Sequence, residues 1–69
     1  LKKWYSPAGG ILCWHKEAGD SVKEGDAIAT LYTRKGSVEL ESPYAGVILL
    51  KNPIHAPQER QELAKFLVE

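Results

Sequence analysis

The sequence predicts an all-β fold, a sandwich or barrel of short strands arranged as two similar halves. Three observations carry this: strict apolar/polar alternation in "SVELES" (37–42), Gly or Pro breakers beside every short apolar run, and an internal repeat. The 69 residues make one domain. A chain this short buries only about 60% of the surface its unfolded form exposes, so the core must be compact and a large active-site cavity is not expected.

Taken in order, "KWYS" (3–6) and "ILCWH" (11–15) are strand candidates, separated by the Pro7 and Gly9-Gly10 breakers. "DAIATLYT" (26–33) is rich in β-branched and aromatic residues, and Gly25-Asp26 marks its start as a turn would. "SVELES" follows, with Val38 and Leu40 on one side and Glu39 and Glu41 on the other, as a half-buried strand requires. The two strands flank "RKG" (34–36) as a hairpin, and "GVILL" (46–50) is a further strand. In the tail, "PQERQELAKFL" has Pro57 in a suitable first-turn position and Leu63, Phe66 and Leu67 at helical spacing.

The repeat decides between readings of that tail. When "WYSPAGGILCW" (4–14) is set over "LESPYAGVILL" (40–50), Ser6, Pro7 and Gly10 fall on Ser42, Pro43 and Gly46, and Ile11-Leu12 on Val47-Ile48. With one residue deleted, Ile28, Ala29 and Leu31 fall on Leu63, Ala64 and Phe66. The repeat therefore asks for a closing strand at "LAKFLV" (63–68), and we favour it over the locally preferred helix. An approximate two-fold axis between the halves sets their junction opposite the chain ends, and Lys35 lies at that junction.

Lys and Arg together number nine, as do Asp and Glu, so net charge is zero and gives no electrostatic case for nucleic acid or an anionic membrane. Two isolated basic pairs, Lys2-Lys3 and Arg34-Lys35, form no stacking platform with the aromatics, and no nucleic-acid partner is expected. No apolar run approaches the roughly 20 residues needed to span a bilayer, and no membrane partner is expected either. Cys13 is the only cysteine, so no internal disulfide is possible. A reducing compartment, cytoplasm or mitochondrial matrix, is the expectation. The absence of methionine suggests a piece excised from a longer chain.

No Ser/His/Asp grouping, phosphate-cradling loop or supported carboxylate pair appears, and no catalytic residue is assigned. Cys13, His15 and His55 make no paired ligand motif, so no metal is expected. Cys13 and His15 share one strand face with Trp14 on the other, and packing is the expected role of Trp14 and Cys13. Lys35 has two readings: a solvated turn residue, the usual state of an exposed lysine, or an amine presented for modification.

The run "GGILCWHKEAGDSVKEGDAIATLYTRKGSVELESPYAGVI" (9–48) resembles the lipoyl domain family, the swinging-arm domains of 2-oxo acid dehydrogenase acyltransferases. The matching pieces are the Gly-apolar opening strand, the paired Gly-Asp turns, the lysine hairpin and the "VELESPYAGVI" that follows. The resemblance implies a flattened barrel-sandwich hybrid of two four-stranded sheets with quasi-two-fold symmetry, one such domain filling residues 1–69. It also implies lipoate in amide linkage to Lys35, with Thr33, Arg34 and Gly36 as hairpin-tip recognition residues. The implied partners are a lipoate ligase or lipoyl transferase and the component enzymes of a multienzyme complex. The tip Arg34-Lys35-Gly36 departs from the family's usual Asp-Lys-Ala, and Tyr32 replaces a frequent acidic residue three places before the lysine. Biotinyl domains usually flank their lysine with methionines, so biotin is the poorer fit. The other function class left open is an unmodified structural or interaction module of the same shape.

Overall fold

The structure, a computed structural model, describes residues 1–68. Seven strands make up its regular structure: β1 (Lys2–Tyr5), β2 (Ile11–Trp14), β3 (Ser21–Val22), β4 (Ala27–Thr33), β5 (Gly36–Glu41), β6 (Gly46–Lys51) and β7 (Glu62–Val68). All pairing is antiparallel, in a four-stranded sheet β1-β7-β6-β3 and a three-stranded sheet β2-β4-β5. The tail is a strand. Its helical spacing is overridden because β7 lies between β1 and β6, where both edges of its backbone find partners.

The core lies between the sheets. Ile28, Leu31, Ile48, Leu63 and Phe66 are fully buried, each contributing about 1.5–3 kcal/mol through the apolar surface it removes from water. Trp4 packs edge-on against Phe66 at 6.0 Å between ring centroids and against Trp14 at 5.8 Å, bringing β1 and β2 together over β7. Trp14 thus serves packing, as expected.

The second sheet has three strands where four were expected, because of a proline. In the first sheet β3 pairs with β6 through Ser21↔Val47 and Val22↔Gly46. The repeat sets Ala56-Pro57 on Ser21-Val22, and the amides of Gly10 and Leu12 donate to the carbonyls of Pro57 (3.2 Å) and His55 (2.9 Å). His55–Pro57 therefore takes the place of a fourth strand. Pro57 has no N–H with which to complete the ladder.

Hydrogen bonds repeat with the sequence. Ser6 and Ser42, each 2% exposed, donate their hydroxyls to the carbonyls two residues on, Ala8 at 2.6 Å and Tyr44 at 2.7 Å. The amide of Ser6 donates to the Gln61 carbonyl as that of Ser42 does to Asp26. Gly10 and Gly46 are alike too: a Cβ on either would collide with a backbone carbonyl, that of Tyr32 or of Leu67. A glycine at each strand start lets two backbones cross closely.

The Gly-Asp turns also have a third copy, in a form the sequence hides. At Lys23–Asp26 the Asp26 carboxylate accepts from the Lys23 amide at 2.8 Å while Gly25 takes a φ of 92°. At Gln58–Gln61 the Gln61 side-chain oxygen accepts from the Gln58 amide at 2.9 Å, and Arg60 takes a φ of 67°. Glutamine replaces aspartate as acceptor, and arginine bears the left-handed conformation that glycine adopts without strain.

Candidate functional site

Strands β4 and β5 pair from Ala27↔Glu41 to Thr33↔Gly36, leaving only Arg34 and Lys35 in the loop. The commonest two-residue loops put positive φ on a central residue, whereas here neither cation has it and it falls on Gly36, the first residue of β5, at 129°. The Thr33 hydroxyl fastens the turn from inside: it donates to the Gly36 carbonyl at 2.8 Å and accepts from the Lys35 amide at 3.1 Å. Thr33 and Gly36 thus have structural work at the tip. Arg34 and Lys35 are exposed and make no ion pair among the described residues.

Beside Lys35 runs an open groove that the sequence reading did not single out. Its walls include Ala8, Gly10, Ile11, Tyr32 and Val38, with Arg34 at the tip end. Ile11 and Tyr32 are cross-strand partners and remain 43% and 52% exposed. Val38, assigned by alternation to the covered side, is 44% exposed, whereas Leu40 on the same face is buried at 6%. The difference has a local cause: Leu40 belongs to the buried core, whereas Val38 lines the open groove together with the small Ala8.

Farther from the tip, the outer face of the sheet carries a polar cluster. His15 Nε2 lies 2.6 Å from the Thr30 hydroxyl and 3.2 Å from Glu39 Oε1, and Thr30 donates to that same carboxylate oxygen at 3.1 Å. The cluster ties β2, β4 and β5 together but puts the carboxylate and the hydroxyl on one ring nitrogen. That is not the relay arrangement of a nucleophile, a base and an orienting acid on opposite nitrogens.

Cys13 is exposed on that face, paired across the ladder with Thr30, so core packing does not account for it. Only the inward positions of β2, Leu12 and Trp14, point at the core. His55 contributes its carbonyl to the edge of β2, and no cluster of three or more His, Cys, Asp or Glu able to hold a metal occurs among the described residues.

The residues missed from sequence were Ala8, Ile11, Tyr32 and Val38. A signal for Ala8 existed in the repeat, which sets it over Tyr44 and so marks a place where one half is much smaller than the other.

Residues 5–58 match the family model described as "Biotin-requiring enzyme", the biotin/lipoyl family. The chain is 50% identical over 39 residues to the lipoamide acyltransferase component of the branched-chain alpha-keto acid dehydrogenase complex of Pseudomonas aeruginosa, a match covering 56% of this chain and 9% of that protein. It is 46% identical over 41 residues to the dihydrolipoyllysine-residue acetyltransferase component of the pyruvate dehydrogenase complex of Acholeplasma laidlawii, covering 59% of this chain and 8% of that protein. The corresponding component of the acetoin cleaving system of Bacillus subtilis is 34% identical over 41 residues, covering 59% and 10%. The chain thus spans about a tenth of the length of these relatives.

Proposed function

The chain belongs to the biotin/lipoyl domain family, and from that premise we propose that it is a lipoyl-type carrier whose attachment point is Lys35. The observation that carries the proposal is the position of this one lysine. It stands exposed in a two-residue loop, at the junction of two quasi-equivalent halves, on a tip locked by Thr33 and Gly36.

A modifying enzyme needs the amine presented on a rigid protrusion, and the tip supplies this without catalytic residues of its own. The residues around it fit a long acylating group: the lysine is exposed and opens onto a groove whose lining includes Ala8, Ile11, Tyr32 and Val38. Lipoate joined there would supply a ring disulfide that, opened to two thiols, accepts and gives up an acyl group. The protein's part is to hold the attachment point out on the tip and to be recognised there. A tether to the rest of a multienzyme complex would raise the effective concentration of the arm at each site it visits. Arg34, a cation beside the attachment point, would bias which partner surfaces approach.

Two observations favour lipoate over biotin: the named relatives are lipoamide and dihydrolipoyllysine proteins, and no methionine flanks Lys35. Intact mass after incubation with a lipoate ligase, ATP and lipoate tests the reading. A single increment of one lipoyl amide is expected. An unshifted mass, with the ligase active on a control domain, would contradict it.

A further inference from the structure

The quasi-two-fold symmetry allows each half of the molecule to be compared with the other, and the comparison fails at one place. In the half that contains the chain ends, the ring of Tyr44 is half-buried against the core. It meets Phe66 edge-on at 5.5 Å, and its hydroxyl reaches the Lys3 carbonyl on β1 at 3.4 Å. In the half that contains the hairpin, the residue in the place of Tyr44 is Ala8, and the one in the place of Phe66 is Leu31. The hydrogen bond that introduces each is the same, from Ser42 to Tyr44 and from Ser6 to Ala8, so the two backbones follow the same course. What differs is a missing ring. The groove between Ala8 and Val38 lies where that ring would be, and Lys35 is one of the residues that line it.

We propose that this groove is a resting berth for the arm carried by Lys35, taking the apolar stem and ring of a lipoyl group where the other half takes the ring of Tyr44. The inference rests on Lys35 being the attachment point. Two features select this occupant: the groove begins at the side chain that would bear the arm, and its walls are apolar. An arm fixed at one end loses little further freedom on lying down, whereas a separate molecule would lose its translational freedom as well. Burying apolar stem against Ala8 and Val38 then favours the docked state, and the open side lets the arm lift away when a partner binds it more tightly.

The test uses the isotope-labelled, ligase-loaded domain, with loading verified by intact mass. In the wild type, loading is expected to shift the amide signals of Gly9, Gly10, Ile11 and Val38 and to give cross-peaks between arm protons and the Ala8 and Val38 methyl groups. In Ala8→Tyr, which restores the ring of the other half, loading is expected to persist while those shifts and cross-peaks are lost. Should Ala8→Tyr fail to fold, Val38→Glu sets a charge in the apolar wall, and the same loss is expected. Shifts confined to Arg34, Lys35 and Gly36 in a fully loaded wild type would overturn the berth and leave the groove to a partner's side chain. A domain that cannot be loaded overturns the carrier reading itself, an outcome the mass spectrum separates from the first.

Discussion

Thr33 decides how well Lys35 is presented. Its hydroxyl is at once donor to Gly36 and acceptor from Lys35, and Val in its place keeps the shape while breaking both bonds. Thr33→Val is expected to cost about 1 kcal/mol in urea unfolding and to slow loading by a ligase, since the tip then samples other turn conformations. Unchanged stability and loading rate would mean that the hydroxyl does not hold the turn. Lys35, Thr33 and Gly36 were legible as residues because the flanking strands alternate clearly and the loop between them is short. The groove residues were not. Ile11 and Tyr32 are exposed because they alternate to the outer face of the sheet, whereas Val38, on the inner face, is exposed beside a groove that no local pattern records.

At the scale of elements, the strands were readable wherever alternation or a breaker bounded them, and β7 was readable only through the repeat. The two-residue β3 carries too little pattern to be seen in "GDSVKEGD". The turn at 58–61 was hidden because its two working residues changed type together: Arg60 for glycine and Gln61 for aspartate. Arg60→Gly is expected to raise stability by about 1 kcal/mol in thermal unfolding, by relieving a left-handed conformation that a Cβ disfavours. Asp26→Ala, which removes the acceptor of the matching turn, is expected to lower it by about the same amount. A loss of stability in Arg60→Gly would show that the arginine side chain outweighs the backbone strain.

The quasi-symmetry of the whole molecule explains why so much of the fold lay in so few residues. Ser6 with Ser42, Gly10 with Gly46, and Leu31 with Phe66 place corresponding parts of the two sheets, so one half read from sequence implies the other. The same symmetry predicts that Gly10→Ala and Gly46→Ala carry similar penalties, about 1–3 kcal/mol each, because both push a Cβ into a neighbouring strand's carbonyl. Strongly unequal penalties would contradict the equivalence. Where the halves differ, one carries the chain ends and a filled slot, the other the lysine tip and an open groove.

The most direct measurement of that assignment is a peptide map by tandem mass spectrometry of the ligase-treated domain, alongside Lys35→Arg. The account requires the lipoyl group on Lys35 alone, with the other lysines bare and the variant unmodified. A group found on another lysine, or persisting in Lys35→Arg, would contradict it.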